Sequence, residues 1–182
     1  YSFQTDVVYQ VLKRDGVCYS KEEYVRKKYK ESAKVFINAY GWFVKEAQHI
    51  VPKPEGAEYP YWAFTDLYNV DQTGDGHVLT LDVPIGEAIL FDMFDWTKIM
   101  QMHYIGENES EEAAFSEELK NMGMNEFQIM TSNFYPEQKA RIQESWKRLF
   151  GHQQAIEAGD NSGVHSVQAG LWCIKDEWIV KE

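Results

Sequence analysis

Residues 164–174, from Val164 to Ile174, alternate polar and apolar side chains and then become wholly apolar. A strand entering a buried sheet reads this way, because successive side chains point to opposite faces. The chain must therefore build a covered sheet close to its C-terminus. Gln168 sits in the middle of this strand, where its amide could look out of the core. The chain has 182 residues, 44% of them hydrophobic and 15% aromatic. That length suits one globular domain over 1–182, burying about two thirds of its unfolded surface.

Other elements are legible by period and punctuation. Tyr1 to Gln4 reads as a short strand, and Thr5 or Asp6 caps a helix over Val7, Val8, Val11 and Leu12 that Gly16 stops. Val17 to Tyr19 is extended. Ser20, with Glu23 three positions on, opens a long helical segment to Val51, divided near Ser32 and ended by Pro52 and Pro54. Strands are expected at Tyr61–Phe64, His77–Val83 and Ala88–Phe91. Asp92 or Asp95 opens a helix through His103, Glu109–Met122 is an acidic amphipathic helix, and Pro136 introduces another closed by Gly151. His152–Gly163 reads as a polar loop, and Asp176–Val180 as a final strand or hairpin return. Strands and helices mix without a βαβ repeat. The expected class is α+β, a central mixed or antiparallel sheet of dispersed strands, roughly five or six, with flanking helices.

The formal charge is −11. A field of that sign disfavours direct nucleic-acid binding, whose affinity comes largely from neutralised phosphates. No apolar run spans a bilayer and the N-terminal residues lack the features of a signal peptide, so no membrane partner is expected. Two cysteines, Cys18 and Cys173, suit free thiols in a reducing cytoplasm better than a disulfide.

Motifs for chemistry are few. Asp71 to Val78 has the oxygen and glycine spacing of a calcium loop, with Asp82 at its twelfth position. Its flanks read as strand, Pro84 and Gly86 prevent a following helix, and Asp75-Gly76 is a hairpin turn signal. The five histidines show no paired helical spacing for a metal, and no metal site is expected. Asp92 and Asp95 are helix caps or catalytic carboxylates. The carboxylates of Glu109, Glu111, Glu112, Glu117 and Glu118 form a solvated face or a surface for a basic partner. The six tryptophans suit core, with Tyr61, Trp62 and Phe64 the best placed to stack on a base.

Several segments together resemble a bacterial and phage family known only as a domain of unknown function. They are Tyr1 to Gln4 with a helix ending near Gly16-Val17, Tyr59 to Phe64, Val78 to Pro84, Ile89 to Asp92 with Asp95-Trp96, and Val167 to Trp172 with Glu177 to Ile179. A more distant resemblance is to ADP-ribosyltransferase-like domains, whose late strand carries Gln/Glu-x-Glu. Gln168 matches the start of that triplet, and Gly170 stands where its glutamate would. The resemblance implies an ADP-ribosyltransferase-like fold that binds NAD or a related nucleotide and modifies a macromolecular target. It implies cofactor contacts at Gln4, Thr5, Tyr61, Trp62 and Phe64, with Gln168 in the catalytic position. Asp92 or Glu177 would have to supply the missing carboxylate. The alternative is a non-enzymatic acidic interaction protein, such as a phage-encoded inhibitor of a nucleic-acid-handling protein.

Overall fold

The computed structural model describes residues 1–23, 26 and 33–180. Strand β1 (Ser2–Thr5) runs directly into helix α1 (Asp6–Asp15). Gly16 ends that helix at φ +75°, and its N–H returns to Leu12 O at 2.9 Å. Glycine suits this left-handed stop because it has no Cβ to crowd the carbonyl. Strand β2 (Val17–Tyr19) and helix α2 (Ala33–Ala47) follow. The expected division near Ser32 lies outside the described residues.

Next come β3 (Tyr61–Phe64), β4 (Gly76–Leu79) and β5 (Ala88–Asp92). Helices α3 (Met93–Met100), α4 (Glu109–Asn121), α5 (Glu126–Thr131), α6 (Pro136–Ser145) and α7 (Gln153–Glu157) complete the helical half. Strands β6 (Val167–Leu171) and β7 (Cys173–Lys175) close the chain, followed by a 3₁₀ turn at Asp176–Trp178.

The class is α+β, and among the described residues every strand pairing is antiparallel. The described strands form three ladders, β1–β4, β2–β7 and β3–β6–β5, in place of one sheet of five or six. Local contacts stitch them together. Tyr1 and Phe64 exchange two main-chain bonds, of 2.6 and 2.8 Å, and Ser2 Oγ donates to Trp62 O at 2.7 Å. Trp172 interrupts the run expected over 165–174; its indole N–H donates to Val51 O at 2.7 Å, separating β6 from β7.

Four local expectations are corrected. Asp75-Gly76 closes no hairpin: β4 pairs with the N-terminal β1, and a Cβ at Gly76 would lie 2.4 Å from Gln4 O. The strand expected to Val83 stops at Leu79, leaving Leu81 in a single bridge with Ile179. The polar stretch after His152 contains α7, because Gln153 is buried as a clamp. Its amide accepts from Leu90 N–H at 2.5 Å and donates to Ala88 O at 3.2 Å, satisfying the outer edge of β5. Helix α5 was not expected; its signal is the reciprocal cap between Asn125 and Gln128.

Two apolar layers cover the central ladder. On one side α2, α3, α4 and α6 pack Phe43, Trp96, Phe115 and Ile142 against Ile89 and Phe91. On the other, Leu12 of α1 and Ile156 of α7 meet Tyr61, Ala63, Leu79, Leu90 and Leu171. Phe43 anchors the first layer, with ring centroids of Trp62, Trp96 and Phe91 at 5.1, 5.3 and 5.6 Å. Most of the tryptophans are therefore core, as large rings generally are.

Candidate active site

The expected site residues divide between the two faces, Trp62, Phe64 and Gln168 on one and Gln4 and Tyr61 on the other. Alternation along the ladders places Gln168, paired with Phe64 and Phe91, on the α2 side with Trp62 and Gly170. Gln4 shares a face with Ser2 and therefore with Leu79, Ser2's partner, on the α1 side. Its amide donates to Ser2 Oγ at 2.8 Å. Tyr61 also faces α1, its hydroxyl 3.1 Å from Cys18 Sγ. Trp62 is packed among Tyr40, Phe43, Phe91 and Trp96, and its N–H donates to Tyr40 Oη at 2.9 Å. Thr5 is exposed at the end of β1. Glu177 belongs to the turn after β7, where its neighbour Asp176 pairs with Lys13 at 2.6 Å.

Gly170 has a packing reason. A Cβ there would lie 2.8 Å from Cζ of Phe43 and 3.5 Å from Trp62. A glutamate at this position would drive its carboxylate into the aromatic layer. The residue that resembles a lost catalytic position is thus a close approach of strand to helix.

Asp92 does reach a site, and with a partner that the sequence did not single out. As the last residue of β5 it caps α3, its Oδ1 accepting from Phe94 N–H at 3.0 Å. Its Oδ2 accepts from the backbone N–H of His165 at 3.0 Å and lies 2.9 Å from Nδ1 of the same residue. Met93 N–H donates to Ser166 O at 2.9 Å, holding the start of α3 against the approach to β6. The Asp92 side chain is 5% exposed, whereas the His165 ring is 73% exposed. The sequence shows only that His165 precedes a strand and that Asp92 ends one; their pairing is set by the antiparallel ladder.

Burial pushes the Asp92 carboxyl up. The main-chain N–H groups of His165 and Phe94, the His165 ring and the N–H of Ser166 outweigh it and hold Asp92 below its ordinary value. An ionised carboxylate only accepts, so Nδ1 carries the ring proton and a neutral His165 presents a bare Nε2 to solvent.

The pair lines a cleft of about 380 Å³. Asp95, one turn into α3, lines it too. Burial pushes Asp95 up, Asp92 and Glu112 add to that, and Lys98 and His152 only partly oppose it. Glu107, Glu109 and Glu112 contribute three further carboxylates, and Lys98, Arg148 and His152 the remaining cationic or titratable groups. Lys98 Nζ sits 2.6 Å from Glu112, and Arg148 Nη1 donates to Ile105 O at 2.9 Å. Among the described residues no group of three or more His, Cys, Asp or Glu is placed to hold a metal.

Elsewhere, Asp71 Oδ1 accepts from the N–H and hydroxyl of Thr73, and the loop continues directly into strand β4. The acidic face of α4 is largely engaged internally: Glu111 accepts from Tyr104 Oη at 2.7 Å, Glu112 pairs with Lys98, and Glu118 with Arg141. Cys18 and Cys173 are free and pair with Ile174 and Tyr19, neighbours that face opposite sides of one ladder. No described helix is long and apolar enough to cross a membrane.

Comparison with curated proteins and with solved structures gives no match. A family model matches residues 1–180, and the chain belongs to the family described as Domain of unknown function (DUF3841).

Proposed function

We propose that the chain is a general acid–base enzyme whose reacting groups are His165 and Asp95, with Asp92 orienting the histidine. The observation that carries this is the 2.9 Å contact between buried Asp92 and the exposed His165 ring at the wall of a cleft. A carboxylate fixed on Nδ1 selects one tautomer and stabilises the imidazolium formed when Nε2 takes a proton. Asp92 is held low and Asp95 is raised, so the proton affinities of two neighbouring carboxyls are pushed apart. Such a split separates an ionised supporting group from a proton donor.

The chemistry is hydrolysis or the equivalent transfer to a hydroxyl. Nε2 of His165 removes a proton from water, whose oxygen bonds to the electrophilic centre of the substrate. The bond to the leaving group breaks, its electron pair departs with that group, and Asp95 protonates it. His165 then returns the water's proton to Asp95, restoring both. This reading moves the expected catalytic position from Gln168 to His165 and retains Asp92 in a supporting role.

The test is a panel of N-glycosides, carboxylic esters and phosphate esters incubated with the protein. One class should give product, and His165→Asn and Asp92→Asn should each lower that rate by about 10²–10⁴-fold. Undiminished turnover in His165→Asn, or no product from any class, contradicts the reading.

A further inference from the structure

Resting on that assignment of the cleft, we infer that its substrate is an uncharged molecule bearing a flat ring, of the nucleoside class, held against Phe94 beside His165. Three observations converge on this class. First, Phe94 is an exposed large apolar side chain at 50% exposure, and its ring lies 4.8 Å from the His165 ring, inclined by 35°. The main chain of Phe94 is committed to the Asp92 cap, so its ring is presented on a fixed backbone. Phe94 is not itself a lining residue, but its ring adjoins that of His165, which does line the cleft, so it offers stacking to a planar group there with little loss of side-chain entropy.

Second, a further exposed aromatic is held at the same end of the central ladder. The turn Leu67–Asn69 carries Tyr68 at 92% exposure. It is pinned beside the site because Asn69 Nδ2 donates to Ser166 Oγ at 2.7 Å, one residue from His165. Asp66 caps the turn by accepting from Tyr68 N–H at 2.8 Å.

Third, the charge of the cleft selects against phosphate. Five carboxyl groups and two fixed cations line it, leaving −2 with Asp95 carrying the proton it donates and both histidines neutral. Both cations already have carboxylate partners: Lys98 at 2.6 Å from Glu112, Arg148 at 3.5 Å from Glu107. The chain as a whole carries −11. A phosphate entering here meets like charge in a partly desolvated space, with no unengaged cation to receive it. NAD and nucleoside monophosphates should therefore be weaker ligands than the unphosphorylated nucleoside.

Calorimetric titration with adenosine, AMP and NAD tests the inference on the intact chain. Adenosine should bind, AMP and NAD about tenfold or more weakly at low salt, and the gap should narrow as salt screens the cleft. Phe94→Ala should weaken adenosine about tenfold, while Phe94→Trp keeps it, both with unchanged thermal transitions because the ring is exposed. No adenosine binding at millimolar concentration, AMP binding as tight as adenosine, or an unchanged affinity in Phe94→Ala overturns it. The two claims fail separately. His165→Asn should still bind adenosine; turnover surviving in that variant would remove the acid–base reading and leave the ring subsite standing.

Discussion

Gly170 and Phe43 approach so closely that the smallest side chain at position 170 would stand 2.8 Å from the tip of the phenylalanine ring. Phe43 is fully buried and surrounded by other rings, so it has no open space to move into. Overpacking of this kind in a rigid layer costs about 1–3 kcal/mol. Gly170→Ala should lower the unfolding free energy by about that amount in urea titration. Gly170→Glu, the change that would recreate the resembled triplet, should prevent folding rather than confer activity. A Gly170→Ala protein as stable as the parent would show that the layer relaxes freely.

Gln168 belongs to that same layer at 3% exposure, across the fold from Gln4. Gln168→Ala and Gln4→Ala should each change the affinity of any nucleotide ligand less than twofold in calorimetry, and Gln168→Ala should lower the melting temperature. A tenfold loss of affinity with unchanged stability in either variant would put the binding site back between them.

Gln153 satisfies two main-chain groups of β5 that no strand among the described residues covers. Gln153→Ala leaves Leu90 N–H and Ala88 O without that partner, and orphaning a buried polar group costs about 1–3 kcal/mol. Hydrogen exchange at the Leu90 amide should accelerate more than at Phe91. Equal acceleration at both would mean that the strand opens as a unit and that Gln153 is not its local clamp.

How much of this was readable beforehand depended on the range of the interaction. β1, α1 with its Gly16 stop, β3, β5, the Asp92 cap, α4 and the Pro136 start are written in local period and capping residues, and all form where expected. Strand partners were not local information. Nothing near Gly76 states that its neighbour is Gln4, and nothing near His165 states that Asp92 lies across the ladder. Gln153 and Gly163 looked alike as members of a polar stretch; only the edge of β5 distinguishes the buried clamp from the exposed turn. Asp92 could be singled out because capping and catalysis both favour the end of a strand. His165 could not, because its role exists only through its partner.

The two carboxyls of the cleft should give opposite pH limbs. Asp92 titrates below its ordinary value of 3.8 in the fold, so the unfolded chain binds its proton first as pH falls. Its contribution is full above 3.8 and is lost as pH drops toward its folded value. Asp95 titrates above 3.8 in the fold, so the folded chain keeps a proton that the unfolded chain has released. Stability therefore falls as pH rises from 3.8 through the folded value of Asp95. Denaturant titrations across this range should show Asp95→Asn lacking the fall and Asp92→Asn lacking the acid loss. Parallel curves for Asp95→Asn and the parent would mean that Asp95 is not held up by burial.

The most direct measurement is the nitrogen NMR spectrum of the His165 ring, assigned by comparison with His165→Asn, at a pH where the imidazole is neutral. If Asp92 fixes the ring, Nδ1 appears protonated and Nε2 bare in the parent, and that single tautomer is lost in Asp92→Asn. A neutral His165 protonated on Nε2, or the same spectrum with and without the Asp92 carboxylate, would contradict the account.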